Sequence, residues 1–403
     1  MTVADVNPSA TLPKATEDFS LVLGGPLFQI FRRTYLSGSG LELLRRRVII
    51  ITGISWLPLL LLSAAKGTAW GNLVSLPFIH DIDAHARFLV SLPLIIGAEL
   101  IVHERMRDVI KQFLERRLIP EQAREQFDRA VASANRLRNS LTAELLLIVF
   151  VYGVGVLFIW PRYAALEGSS WYGLDNHGSL HLSPAGWWFA LVSLPFFQFL
   201  LFRWYYRLFI WARFLWQVSR IKLDLFPTHP DRAAGLGFLS NVSYAFIPLL
   251  LAQGALLGGT MANRILYAGA RVIDFKLDII GAVVVVLLFV LGPLLVFSSQ
   301  LGQAKRKGRR EYGALAQRYV REFDAKWLRG AAPADETFVG SGDIQSLADL
   351  GNSYAVINEM RLVPFDTKTL IQLAVATVAP MSPLVLTMIP LDQLLERLVK
   401  IVF

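Results

Sequence analysis

"RFLVSLPLIIGAELIVHER", residues 87–105, is an apolar stretch with one carboxylate inside it. Glu99 lies among Ile96, Gly97, Ala98, Leu100 and Ile101. What that acid does depends on whether the stretch is a soluble core helix or a membrane span, so the surrounding chain decides its reading. The 403 residues are 54% hydrophobic and only 18% charged, with a mean hydropathy of +0.47. A soluble protein of this length carries roughly 25% charged residues. Apolar runs long enough to cross a bilayer recur along the chain, and arginine-rich blocks separate them.

Six spans are expected: 48–64, 88–102, 141–160, 185–202, 238–262 and 277–298. A seventh apolar segment, 370–389, is read as a full span. Its alternative is a re-entrant hairpin turning at Ala379-Pro380-Met381-Ser382-Pro383. The fold class is therefore all-α, a polytopic membrane helical bundle with helical extensions outside the membrane.

The net charge of +9 is not evenly spread. Arg32, Arg33 and Arg45–Arg47 precede the first span, and nine basic residues fill 103–140. Further blocks run from Arg203 to Arg232 and from Lys305 to Arg329, whereas the alternate loops are poor in base. That alternation follows the positive-inside rule and places the N-terminus and every even-numbered connection in the cytoplasm. Topology thus accounts for the excess charge, and a nucleic-acid partner is not expected. The absence of cysteine excludes disulfides, zinc–thiolate sites, iron–sulfur clusters and thiol catalysis.

The organisation expected is a tail and interfacial helices over 1–47, with residues 1–18 disordered and no signal peptide. Phe28, Phe31 and Tyr35 would lie at the membrane surface beside Arg32 and Arg33. A membrane hairpin follows over 48–102, a cytoplasmic helical segment over 103–140 broken at Pro120, and a second hairpin over 141–202. A basic, aromatic segment over 203–237 is expected to anchor on anionic inner-leaflet lipid. A third hairpin occupies 238–298, a cytoplasmic helical segment 299–366, and a C-terminal membrane segment with an interfacial helix 367–403. Leu315, Tyr319, Phe323 and Trp327 form an i,i+4 stripe expected to pack on the 103–140 helix. Leu89-Val90-Ser91-Leu92-Pro93 recurs as Leu191-Val192-Ser193-Leu194-Pro195, which suggests that the first two hairpins are parallel repeats. Prolines 58, 93, 195, 248, 293, 380 and 383 predict kinks in nearly every span.

The text "FPTHPDRAAGLGFL" (226–239), continued through "GSGDIQSLADLGNSYAVINEMRLVPF" (340–365) to the Leu-rich C-terminus, resembles a group of bacterial polytopic inner-membrane proteins that carry no assigned activity. The resemblance extends over most of the chain. It implies a bacterial plasma membrane and supplies no chemistry.

Three groups of residues remain as candidates. Glu99 should lie about 6 Å inside the cytoplasmic end of its span, at roughly 1.5 Å per residue, where a carboxylate must face protein or water with a cation near it. Arg203 is the expected partner, with Arg105 second, and Glu144 lies at similar depth in the next span. The pair is either a fastening between hairpins or part of a proton-titrating or pore-lining path, and acids at matching depth would make a ring in an oligomeric cation pore. Outside the membrane, His80, Asp81, Asp83 and His85 in "HDIDAH", with His177 and His181 in "DNHGSLH", are either ordinary loop residues or a pH or metal sensor. Imidazole with carboxylate suits zinc, nickel or manganese, although the spacing matches no known signature. His229 and Asp231 sit in a Pro- and Gly-rich turn before the fifth span, as a helix cap or as a proton relay.

No phosphate-binding glycine loop, His-Glu-x-x-His or nucleophile elbow is present, so no cofactor is expected and enzymatic activity is disfavoured. The leading expectation is a homo-oligomeric channel or channel-like transporter for a small ion, lined partly by Glu99 and gated by external pH or metal. Its rival is a membrane scaffold or sensor that binds a protein partner through cytoplasmic helices. An intramembrane enzyme using the His/Asp loops is the third reading.

Overall fold

The computed structural model describes residues 19–26, 29, 43–155, 169–176 and 179–388. It is helical apart from one small β-hairpin, and six of its helices are long and apolar enough to cross a membrane. In chain order the elements are α1 (Leu44–Ala65), α2 (Ile82–Glu115), α3 (Arg124–Arg138), α4 (Leu141–Val154), β1 (Gly173–Asn176), β2 (Ser179–Leu182), α5 (Pro184–Val218), α6 (Phe238–Ala268), α7 (Val272–Leu328), α8 (Gly342–Glu359) and α9 (Thr367–Thr387). The end of the bundle that carries the 116–123 and 219–237 loops is called the basic end, and the opposite one the loop end.

Burial follows from which faces meet lipid. In α1 the buried positions are Arg47, Ile51, Ser55, Leu59 and Ser63, one every fourth residue. Ile49, Ile54, Leu57 and Leu61 point outward. Such a narrow stripe is what a peripheral span needs, since hydrocarbon surrounds its other sides. Most of α5 is buried, including Phe197, Leu200, Trp204, Trp211 and Phe214, so α5, like α6, is a central helix of the bundle. No break in the helix marks the boundary expected at 202/203. The helix continues unbroken to Val218, and the aromatic, basic stretch 203–218 largely faces protein rather than inner-leaflet lipid. The helix α3 folds back onto that stretch through Phe127, Ala130, Val131 and Ala134, with Phe127 meeting Phe214 at 6.1 Å between ring centroids. The expected break near Pro120 is present as the 116–123 loop, although α2 runs past residue 103 without interruption.

The two Leu-Val-Ser-Leu-Pro copies adopt the same local structure. Each sits on a π-turn, 86–91 and 189–193, and hands over to α-helix with the proline in its first turn. Each serine, fully buried, donates to a carbonyl on a neighbouring helix: Ser91 to Ala252 and Ser193 to Ser55 (2.7 Å). Proline's missing N–H is thereby combined with a π-bulge that reshapes the helix and a serine that fixes it to its neighbour. Pro58 frees the carbonyl of Ile54, and Trp188 Nε1 donates to it at 3.3 Å.

Residues 367–388 form a full-length span rather than a re-entrant hairpin. Thr369 hydrogen-bonds Ser240 (2.7 Å) at the basic end, and Met381 and Leu384 join Met261, Ala262 and Phe275 near the loop end. The segment thus runs parallel to α6 over its length, its second half a 3-10 helix around Pro380 and Pro383. Close approach depends on Gly254, where a Cβ would lie 2.0 Å from the Thr377 carbonyl, and on Gly259, where it would lie 2.7 Å from Ala86 Cβ.

With 57 residues, α7 is about 85 Å long at 1.5 Å per residue, far more than a ~30 Å bilayer needs. Its second half leaves the basic end and pairs with α8. Tyr319 Oη donates to the Asp343 carbonyl (3.0 Å), Arg309 donates to Asn358 (2.9 Å), and Gly308 lies beside Ile357. Of the stripe expected to pack on the 103–140 helix, Tyr319 and Trp327 instead bond Asp343 at the start of α8 and Leu315 is exposed, while α3 places its apolar face on α5. Residues 27–28 and 30–42 of the expected interfacial segment, the 1–18 tail, the latter part of the third expected span (156–160) and the last helix (389–403) lie outside the described residues.

Candidate functional site: a buried arginine–glutamate cluster

Glu99 does have Arg203 beside it, with Arg203 Nη1 3.5 Å from Glu99 Oε1. Two further guanidinium groups meet the same carboxylate. Arg207 Nη1 is 2.8 Å from Oε1, and Arg47 Nη2 contacts Oε2. Arg203 Nε also reaches Glu144 at 3.3 Å. All five side chains are buried, with residue exposures of 1% for Arg47, 6% for Glu99, 7% for Glu144, 5% for Arg203 and 3% for Arg207. The cluster joins α1, α2, α4 and α5, the helices that carry the first two expected hairpins. Arg105, the second expected partner, instead points to the Asn241 carbonyl at 3.4 Å.

Arg47 and Arg207 were legible only in part. Arg207 is one helical turn from Arg203 and so shares its face. Arg47 ends an arginine triplet that charge bias explains completely. Its distinguishing mark is that Ile51, Ser55, Leu59 and Ser63 follow it on one stripe, two of them small polar residues that a lipid-facing stripe would not favour.

The basic end of the cluster is covered by residues 19–26. Phe19, Leu21 and Val22 are each 1% exposed, so this segment is core and not the surface helix expected for 19–47. Ser20 Oγ lies 2.8 Å from His103 Nδ1, and the Ser20 carbonyl accepts from Arg138 Nη1 at 2.6 Å. Asn139 Oδ1 accepts from Gly25 N (3.0 Å), and Arg203 Nη2 donates to the Gly24 carbonyl (3.4 Å). Gly24 and Gly25 have φ of 140° and 89°. Side chains are strained in that region, and a Cβ on Gly24 would also lie 2.5 Å from Asn139 Oδ1. Burial, and then the charge of Arg207, hold the Arg138 guanidinium below its ordinary range.

Toward the loop end, the space beside the cluster is a cavity of about 10 Å³ walled by Ile51, Ile95, Ile96 and Leu200. That volume holds one water molecule. Chemically the arrangement is a set of buried ion pairs, that of Arg207 with Glu99 also a hydrogen bond, closed on one side by apolar side chains and on the other by a backbone segment. Three cations face two carboxylates, so each acid is fully compensated.

The other candidates carry structural connections. Asp81, 6% exposed, caps α2 through Ala84 N (3.0 Å) and accepts from Trp171 Nε1 and Asn263 Nδ2, both at 2.8 Å. It therefore ties α2, the β-hairpin and α6 together at the loop end. Asp83 pairs with Arg87 (2.6 Å) and accepts from Thr260 (2.9 Å). His85 accepts from Trp56 Nε1 at 3.0 Å, and its Nε2 lies 3.0 Å from the Ile79 carbonyl. His80 and His181 are exposed, and His177 lies outside the described residues. Among the described residues no three metal-ligand side chains converge.

Asp231 organises the 226–237 turn. Its carboxylate accepts from the backbone N–H groups of Ala233 (2.8 Å), Gly235 (3.1 Å) and Gly237 (2.8 Å), with His229 Nδ1 2.9 Å away. Burial raises its pKa, but the backbone donors and His229 outweigh it and hold the carboxyl below the usual range. Arg361 locks the turn from the far side by donating to the Asp231 carbonyl (2.7 Å). Asp231 thus organises the turn itself, with positive φ at Arg232, Ala234 and Gly235 set around it, and its bonds fall on residues before α6 rather than on the first turn of that helix.

Comparison with protein-family models, with curated proteins and with solved structures finds no match to this chain.

Proposed function

We propose that this protein is a multi-pass membrane scaffold or sensor that acts through helices projecting from its basic end, with the Glu99 cluster as the fastening of its membrane core. The carrying observation is that Glu99 is shared among three arginines inside a single chain, beside a cavity of about 10 Å³. A carboxylate lining a pore must keep water and a transiting ion as neighbours. A ring built across copies would need Glu99 at an interface between them, whereas it is enclosed by α1, α2, α4 and α5 of its own chain. Meanwhile the α7–α8 arm presents Leu328 (69% exposed), Phe338 (49%) and Val339 (87%), apolar side chains at its tip that suit a protein partner. The charge bias of the loops supports an orientation with this arm and the N-terminus on the cytoplasmic side, and the resemblance noted above supports a bacterial inner membrane.

One observation favours the channel reading: the lid over the cluster is a short terminal segment rather than a packed helix, and its withdrawal would expose net positive charge. Ion flux into liposomes decides between the two. Wild-type protein should conduct no more than empty vesicles, and Glu99→Gln should only lose stability. Flux that Glu99→Gln abolishes or reselects restores the channel. A photo-crosslinking residue at Leu328 should give a discrete protein adduct in cells that one at Ile54, on the lipid-facing side of α1, does not. Absence of any adduct at Leu328 removes the partner from the proposal.

A further inference from the structure

Where α7 leaves the membrane, the loop that follows α5 runs across it. Gln300 Nε2 donates to the carbonyls of Ser219 (2.6 Å) and Ile221 (2.8 Å), which clamps the loop to the helix. Between the two lies a cleft of about 700 Å³. Arg220, Lys222, Lys307 and Arg310 line it, and Asp224 is the single acid among its lining residues. The sequence Lys305-Arg306-Lys307-Gly308-Arg309-Arg310 supplies the helical half, but its cations are divided between faces. Lys305 donates to the Met360 carbonyl (2.6 Å) and Arg309 to Asn358, so those two serve the α8 side. Among the described residues, Arg220, Lys222 and Arg310 form no ion pair, and Lys307 has only the exposed Glu311 at 3.9 Å. Four exposed cations against one carboxylate give the cleft a net positive lining that favours an anion, and the loop is already held by Gln300 without one.

The cleft also lies at a definite depth. Exposed Trp216 (47%), with Arg220 stacked 5.0 Å over its ring, borders one side, and exposed Phe226 (62%) lines the cleft itself. Just before it along α7, the exposed side chains are Leu288, Phe289 and Leu295. Aromatic rings and apolar side chains giving way to cations mark a membrane–water boundary. We propose that this cleft is a binding site for a phosphate-bearing anion, with Lys222, Lys307 and Arg310 around the phosphate. Arginine and lysine together suit that ligand, since one offers a planar fork and the other a compact charge. The phosphate comes from an anionic lipid headgroup or from a free phosphate compound in solution. The site is separate from the Glu99 cluster and does not depend on whether the bundle conducts.

The chain has no cysteine, so a single dye can be placed at Phe226→Cys without background. The labelled protein in phosphatidylcholine nanodiscs is titrated with short-chain phosphatidylglycerol and, separately, with inorganic pyrophosphate. A saturable dye response is expected, weakened by about tenfold or more in Lys222→Gln/Arg310→Gln, since each surface cation contributes appreciably to phosphate affinity. Arg318→Gln/Arg321→Gln, which removes two exposed cations farther along α7, should leave the affinity within about twofold, and this variant controls for overall charge. Response to the lipid alone identifies a headgroup site, and an equal or tighter response to pyrophosphate identifies a soluble phosphate. No saturable response to either probe, or equal weakening by both pairs of substitutions, overturns the proposal. If the Lys222→Gln/Arg310→Gln protein misfolds, Lys222→Arg/Arg310→Lys, which keeps the charge, should retain binding, and its failure would count against the site.

Discussion

Replacing Glu99 by glutamine keeps its size while removing the charge that three guanidinium groups share. The cluster of Arg47, Arg203 and Arg207 with Glu99 and Glu144 then goes from three cations against two anions to three against one. Removing one partner of a buried ion pair costs about 3–5 kcal/mol, because the charge left behind stays desolvated. Here Arg203 retains Glu144 at 3.3 Å, so the loss falls chiefly on Arg207, whose Nη1 is 2.8 Å from Glu99 Oε1. Taking away Arg207 as well should return part of the stability. Glu99→Gln/Arg207→Gln is thus expected to be more stable than the sum of its single variants by about 1–3 kcal/mol. The assay is reversible unfolding of the purified protein in mixed micelles of dodecyl maltoside and SDS, followed by tryptophan fluorescence. Trp204, which donates to the Ile95 carbonyl at 2.9 Å and lies 4.8 Å from Arg207, is an internal reporter. A Glu99→Gln variant within about 0.5 kcal/mol of wild type, the range of ordinary surface substitutions, would refute the view that the cluster fastens these four helices together.

Three further outcomes follow from other parts of the fold. Asp231→Asn replaces one acceptor oxygen by a donor facing the turn's N–H groups, which should cost about 1–2 kcal/mol for a half-buried site and raise amide exchange at Gly235 and Gly237. Gly254→Ala drives a Cβ into the Thr377 carbonyl, 2.0 Å away. It should cost about 1–3 kcal/mol in the same unfolding assay, and a cost below about 0.5 kcal/mol would count against the close packing of α6 on α9. Asp343 accepts from Lys326 and Trp327, both at 2.9 Å, and the Lys326 hydrogen bond holds its pKa below the usual range. A depressed carboxylate stabilises above its unfolded pKa and loses that contribution as pH falls through the folded value. Spin labels at Arg318 and Ser346 should accordingly keep one distance from pH 8 to 5 and broaden only below about pH 4, whereas Lys326→Met should broaden them at pH 7.

Hydropathy and charge bias determined the class of fold, the approximate positions of the spans and the presence of helices beyond them. Both signals are local: a lipid-facing helix must be apolar over about 20 residues wherever it packs, and arginine marks span ends regardless of the neighbours. The paired Leu-Val-Ser-Leu-Pro motifs were legible for the same reason, since a π-turn before proline is a short-range event. Sequence also showed that Glu99 needs a cation and that Arg203 was at the right depth. It left open which of several arginines would converge there, because depth is one-dimensional while partnership requires knowing which helix faces which. Only the packing of α1, α2, α4 and α5 brought Arg47 and Arg207 to the same carboxylate. Composition likewise could not reveal that residues 19–22 are core, that 203–218 is largely internal, or that α7 pairs with α8. An aromatic, basic helix looks the same whether it meets lipid headgroups or another helix. What decides is the number of apolar faces competing for each other, and that is a property of the tertiary structure alone.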